Sequence, residues 1–202
     1  MAARRAVSAV HARRIASCDE WPRASGIQRQ DPHCLGKSPV IKDGDVVVQE
    51  IPTNESRYLC ETCDGEARLL PRETKARAKV REFMAAAEAT FMLHALAILY
   101  ARWRLPERAA DCLPEMEKGL SSNVHNDFAW LEHELAASSD NFLVGGHLTA
   151  ADIIMGFSIE FIFARKLGTE RDGRWPRIQH WLDRIRDEPS YKKAVERTGY
   201  KL

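Results

Sequence analysis

Apolar residues recur three and four positions apart through Val80, Phe83, Met84, Ala87, Phe91, Ala95, Ile98 and Leu99, the stripe of an amphipathic helix. A second stripe steps through Val124, Phe128, Leu131 and Leu135. A third helix opens at Leu148-Thr149-Ala150-Ala151-Asp152-Ile153, and a fourth carries Ile178, Trp181, Leu182 and Ile185. A last short helix is expected after Pro189, around Tyr191 to Val195. The pattern therefore predicts helix from about Glu73 onward. Ahead of it the period changes. Pro39-Val40-Ile41 and Val46-Val47-Val48 are short β-branched runs flanking Asp43-Gly44, a strong short-range hairpin signal. A short helix is expected to follow, capped by Thr53, with Tyr58 and Leu59 inward and Asp64-Gly65 closing it. The fold class is α+β, mostly α: a small β-containing N-terminal piece joined to an all-α bundle.

Composition narrows the partners. The 202 residues are 45% hydrophobic and 29% charged, with a net charge of +1. This balance gives no electrostatic case for nucleic acid or an anionic membrane as partner. No stretch approaches the roughly 20 uninterrupted apolar residues of a membrane span. The most apolar run, Phe83 to Tyr100, carries Glu88 and His94 and reads as a buried helix, so the chain is expected to be soluble. Cys18, Cys34, Cys60, Cys63 and Cys112 form an odd, scattered set, which points to a reducing compartment and a cytoplasmic protein. Cys60-Glu61-Thr62-Cys63 has the spacing of a redox pair or half a zinc site. No second pair completes a metal site, and two incidental cysteines near a helix end is the reading adopted. Residues 1–18 hold four arginines and no acidic residue. That is transit-peptide chemistry, with mitochondrial targeting as its consequence; a disordered leader and an altered gene start are the alternatives.

Thr149-Ala150-Ala151-Asp152 is a capping box, with Leu148 and Ile153 at the positions of a hydrophobic staple. It marks a helix start and is structural. Its surroundings say more. The segment from Phe142-Leu143-Val144-Gly145-Gly146-His147 through Thr149 to Asp152 resembles the entry to the core helix of the glutathione S-transferase C-terminal domain. Trp175-Pro176, Trp181-Leu182 and Pro189-Ser190-Tyr191 resemble that family's closing helices. Upstream, Leu35-Gly36-Lys37-Ser38-Pro39-Val40-Ile41, Asp43-Gly44-Asp45 and Gln49-Glu50 resemble the second half of its glutathione-binding domain, in the fungal and bacterial branch with Gly-Lys-Ser-Pro. The resemblance covers residues 35–202.

The resemblance implies three segments: an abnormal or disordered leader (1–34), a partial thioredoxin-like glutathione-binding domain (35–71) and an all-helical C-terminal domain (73–202). It implies a cis Pro39 whose turn exposes the main chain of Ser38 to the cysteinyl part of glutathione. Lys37 would face the tripeptide's carboxylates. Glutathione would be the co-substrate, no metal would be needed, and the chain would pair as a homodimer. Two departures stand out. The family's Glu-Ser, which holds the γ-glutamyl carboxylate at a helix start, is replaced by Glu50 followed by Ile51-Pro52, with one extra residue before Tyr58-Leu59; Thr53 is the nearest substitute hydroxyl. About 35 residues precede the Gly-Lys-Ser-Pro, fewer than the family's strand-helix-strand unit needs. Ser8, Ser17, Cys18 and Ser25 have a suitable type but not the context of a thiolate-stabilising group, so no catalytic residue is assigned. Two functions follow. One is an enzyme that conjugates glutathione to small hydrophobic electrophiles in detoxification or reduces peroxides, with Phe83, Phe91, Tyr100 and Trp103 as candidate walls. The other is a catalytically impaired binding or dimerisation module of the same family.

Overall fold

The computed structural model describes residues 40–49, 52–138 and 140–200. The leader, Lys37, Ser38, Pro39 and Glu50 lie outside them. The chain divides into two compact units, residues 1–59 and 60–202. Residues 60–71 fall in the second unit, and the side chains of Cys60 and Leu70 are buried in the helical core.

In the first unit, β1 (Val40–Asp43) and β2 (Val46–Gln49) pair antiparallel, with Val40 opposite Gln49 and Asp43 opposite Val46. This register makes Gly44-Asp45 the two-residue loop, one position later than the Asp43-Gly44 read from sequence. Gly44 has φ +57° and Asp45 is not among the positive-φ residues, the signs of a type II′ turn with glycine first. Helix α1 (Pro52–Cys63) follows. Its Tyr58 hydroxyl donates to Asp43 Oδ2 at 2.9 Å, tying the helix to the end of β1. Tyr58 is half-buried, but Leu59 is 36% exposed and does not point inward as the sequence pattern suggested.

The second unit is helical. Helices α2 (Thr74–Ala86) and α3 (Leu93–Arg104) are joined by a π-helical turn, Ala87–Met92, into one continuous rod. Glu73 starts it, its carboxylate accepting from the Lys75 and Ala76 amides at 2.9 and 2.6 Å. By length and mean hydropathy this 31-residue rod also meets the measure of a membrane span, which the interrupted run Phe83 to Tyr100 did not suggest. Here its stripe of Val80, Phe83, Met84, Ala87, Phe91, Ala95 and Ile98 is buried in the core. Helix α4 (Leu113–Ala137) packs along α3 and buries Val124, Phe128 and Leu131. Across this packing His94 Nδ1 meets Asp127 Oδ2 at 2.7 Å. Burial pushes the Asp127 carboxyl up, a shift the neighbouring His94 partly offsets.

Helix α5 (Ala150–Arg165) lies at the centre, buried on nearly every side through Ile154, Met155, Ile159, Ile162 and Phe163. It ends in a left-handed Lys166 (φ +50°), with the Leu167 amide donating to the Ile162 carbonyl at 3.0 Å and the Lys166 amide to that of Phe163 at 3.2 Å. This is a Schellman closure with Leu167 as its buried apolar contact. Arg102 of α3 reinforces the end, donating to the Arg165 and Lys166 carbonyls at 2.9 Å while its other edge pairs with both oxygens of Glu117. Gly168 (φ +79°) then passes so close to α4 that an added Cβ would lie 3.2 Å from the Ser121 Cα. Helices α6 (Pro176–Asp187) and α7 (Pro189–Thr198) close the bundle, α6 through Ile178, Trp181, Leu182 and Ile185.

Candidate functional site

The glutathione-binding residues suggested by sequence fall at two junctions. Lys37, Ser38 and Pro39 immediately precede β1, outside the described residues, as does Glu50 between β2 and α1. Thr53 is described, and it is not the cap expected of it. It is the second residue of α1, which opens on Pro52, and it is half-buried. A helix start offers unsatisfied amides and a positive dipole end to an anion. Pro52 subtracts one of those amides, so the helix's amide donors begin one residue later.

Sequence reading underrated Glu55. It stands in the first turn of α1, 7% exposed, with Oε1 shielded and without a hydrogen-bond partner. The helix's positive end favours a carboxylate here, yet burial dominates and pushes its carboxyl up. Its position next to Ser56 gave no such signal, because burial of one face of a helix start depends on packing rather than on spacing.

Within the helical unit Asp152 accepts four hydrogen bonds through its carboxylate. It is fully buried. Oδ2 accepts from the Thr149 amide at 2.9 Å and the Thr149 hydroxyl at 2.7 Å. Oδ1 accepts from the Leu143 amide and from Trp181 Nε1, both at 2.9 Å. One carboxylate thus fixes the start of α5, the loop before it and α6. The role is architectural, as a capping box implies. Leu148 packs against the core, but Ile153 is 45% exposed, so the staple is one-sided.

The four aromatic wall candidates separate cleanly. Phe83 and Phe91 are 1% exposed, with their rings against Trp130 at 5.4 and 6.1 Å; they are core. Tyr100 and Trp103 are 51% and 65% exposed and pack on each other at 6.0 Å. The cysteines also separate. Cys60 is buried near the end of α1, and burial with the negative charges of Asp64 and Glu61 pushes its thiol up to about 11. That is the opposite of an activated thiol. Cys63 is exposed, and no group of three or more metal-ligating side chains occurs among the described residues.

Comparison with known proteins agrees on one family. Residues 74–184 match the family model described as glutathione S-transferase, C-terminal domain. The chain is 36% identical over 77 residues to glutathione S-transferase 1 of Saccharomyces cerevisiae, a match covering 38% of this chain and 32% of the yeast protein. It is 27% identical over 172 residues to a glutathione S-transferase-like protein of Aspergillus aculeatus, covering 81% of this chain and 78% of that one. Among solved structures, a glutathione S-transferase from Actinobacillus pleuropneumoniae superposes with a TM-score of 0.66 at 27% identity, covering 84% of this chain and 73% of the other. The enzyme from Xylella fastidiosa superposes at 0.68 and 16% identity, covering 83% and 78%, a likeness of fold. With more than half of its length inside the family's C-terminal domain, and with the Asp152-centred entry to α5 in place, this chain belongs to the glutathione S-transferase family.

Proposed function

We propose that this protein binds glutathione and directs its thiolate at a small apolar electrophile, or at a peroxide, in a detoxifying role. In conjugation the sulfur attacks an electrophilic carbon, a C–S bond forms, and the leaving group departs with its electron pair. In peroxide reduction two glutathiones become the disulfide while the peroxide yields an alcohol and water. The observation that carries this reading is the order of elements. A two-stranded hairpin and α1 follow Gly36-Lys37-Ser38-Pro39 directly and lead into the family's helical domain. In that arrangement Ser38 offers its main chain to the cysteinyl unit, Lys37 and Glu50 serve the charged ends of the tripeptide, and Thr53 stands in for the missing hydroxyl.

The helix start argues for low efficiency. Pro52 opens α1 where a donor is wanted. Calorimetry with glutathione and a conjugation assay with 1-chloro-2,4-dinitrobenzene test this. Weak binding and near-background turnover are expected; micromolar affinity with robust turnover would overturn the low-efficiency reading. No detectable binding at all would favour the second reading, a non-catalytic family module.

A homodimer belongs to the same proposal. Leu93, Tyr100 and Trp103 recur along one face of α3 and are 61%, 51% and 65% exposed, the kind of surface a second copy covers. Light scattering should report a dimer, and Trp103→Glu should shift it toward monomer. A clean wild-type monomer at micromolar concentration would sink the idea. Cytoplasmic residence is part of this reading, supported by the odd, scattered set of five cysteines in the sequence.

A further inference from the structure

Helix α1 ends on a pair of thiols that the proposed function leaves unused. Cys60 and Cys63 stand three residues apart in its last turn, and both are free. Their surroundings differ. Cys60 is buried in the helical core, whereas Cys63 is the last helical residue and is exposed. The Thr62 hydroxyl lies 3.5 Å from the Cys63 sulfur, close enough to donate to it. Residues three apart on a helix have Cα atoms about 5 Å apart, inside the window of roughly 4.4–6.8 Å that a disulfide spans. Their Cβ atoms, roughly 5–6 Å apart in a regular helix, must close to about 3.5–4.5 Å. The end of α1 is where that adjustment disturbs least. The Asp64 amide reaches the Cys60 carbonyl only at 3.3 Å, beyond the usual range of about 2.7–3.2 Å, and the helix stops there.

We infer that Cys60 and Cys63 form a reversible disulfide at the end of α1 by exchange with a small disulfide such as oxidised glutathione. The exposed Cys63 thiolate attacks one sulfur of the reagent, so a mixed disulfide forms and one glutathione thiolate leaves. Cys60 then gives its proton to water, and its thiolate attacks the Cys63 sulfur. The protein S–S bond closes, the mixed disulfide breaks, and the second glutathione thiolate departs; both leaving thiolates take up a proton. Two protein thiols and one glutathione disulfide thus become one protein disulfide and two glutathiones, with two electrons passing from protein to reagent. Burial, with the negative charges of Asp64 and Glu61, makes Cys60 a poor attacker of molecules in solution, but the sulfur it must reach is held in its own helical turn. The product carries no charge, so the burial that opposes the thiolate does not oppose the disulfide. None of this uses the glutathione-binding residues suggested by sequence, and it does not rest on the proposed activity.

The test is incubation of the full chain with oxidised glutathione, trapping of the remaining thiols with N-ethylmaleimide, and peptide mapping by mass spectrometry. Trypsin leaves both cysteines on one peptide, residues 58–68. That peptide should end two hydrogens lighter and free of glutathione, while the exposed Cys112, with no cysteine beside it in the sequence, keeps a glutathionyl group. Excess reduced glutathione should return the dithiol. Between pH 7 and pH 9 the adduct on peptide 58–68 should be lost about tenfold faster per pH unit, because the closing thiol is held at about 11. Cys60→Ser should keep the adduct on Cys63. Should that buried substitution fail to fold, Cys63→Ser at the exposed position replaces it, and its peptide should stay unmodified over the time in which wild type closes. A lasting adduct on peptide 58–68 of wild type, an unmodified wild-type peptide, closure at a rate independent of pH, loss of the adduct from Cys60→Ser, or modification of Cys60 in Cys63→Ser would each overturn the assignment.

Discussion

Replacing Asp152 by asparagine is the sharpest test of how the helical domain is held together. The two side chains have the same shape, but an amide has only one accepting atom. In the native network Oδ1 receives the Leu143 amide and the Trp181 indole, and Oδ2 receives the Thr149 amide and hydroxyl. The asparagine nitrogen must face one of these pairs. Facing Thr149 is the better choice, because the hydroxyl can rotate to accept, leaving only the Thr149 amide orphaned. A buried donor without a partner costs about 1–3 kcal/mol, and the other bonds lose the benefit of a charged acceptor. The expected loss for Asp152→Asn is therefore about 2–4 kcal/mol. Asp152→Ala removes all four acceptor contacts and should exceed it, while Thr149→Ala removes one side chain and should cost about 0.5–2 kcal/mol. Against a typical domain stability of about 5–15 kcal/mol, the alanine variant at Asp152 should be marginal.

Equilibrium urea unfolding at fixed protein concentration is the appropriate assay. Far-ultraviolet circular dichroism is preferable to fluorescence, because Trp181 is itself a donor in the network. The order Thr149→Ala, Asp152→Asn, Asp152→Ala in rising cost is the signature. An Asp152→Asn variant as stable as wild type, or a Thr149 variant worse than Asp152→Ala, would refute a shared four-donor carboxylate.

Other measurements follow from the same structure. Burial raises the Glu88 carboxyl above its ordinary 4.5, so the folded state binds this proton more tightly than the unfolded one, and the cost to stability sets in as pH rises through 4.5 and is complete above the raised folded value. Glu88→Gln should therefore be more stable than wild type at pH 7, with the advantage shrinking as pH falls toward 4.5 and absent below it; an advantage that grows in acid would refute the sign. With its thiol pushed up to about 11, Cys60 should resist iodoacetamide at pH 8 while Cys63 and Cys112 react, as peptide mapping would show; equal rates would contradict its burial. Gly168→Ala should destabilise by about 1–3 kcal/mol, combining a left-handed backbone with crowding against Ser121; an unchanged melting temperature would show that the turn relaxes freely.

The parts legible in the sequence were those governed by local rules. Period fixed the stripes on α2, α3, α4 and α6, and Thr149-Ala150-Ala151-Asp152 located the start of α5 because a capping box is a short-range object. The hairpin was visible but its loop was misplaced by one residue: Asp-Gly and Gly-Asp both suit two-residue loops, and cross-strand register decides between them. Thr53 was misread for a related reason. A hydroxyl before an apolar run suggests a cap, but Pro52 suits the first turn of a helix and carries the start past it. The π-helical turn at Ala87–Met92 has no residue signature, since nothing in Ala87-Glu88-Ala89-Thr90-Phe91-Met92 departs from helical propensity. The burial of Glu55 is a matter of packing, which spacing along one segment does not report.

Both ends of α5 are held by charge supplied through side chains, and the signs have a structural consequence. Apolar on nearly all faces, this helix offers neighbours little to distinguish one rotation about its axis from another, or one direction from its reverse. Asp152 places a negative charge at its N-terminus, and Arg102 of α3 brings a positive one to its C-terminal carbonyls. Each sits where the helix dipole favours it. Reversing α5 would carry Asp152 away from the Trp181 and Leu143 donors, leaving them without acceptors, and would set Arg102 against the helix's positive end. The charged ends act as a polarity key: hydrophobic packing gathers the segment into the bundle, and these two residues decide which way it runs.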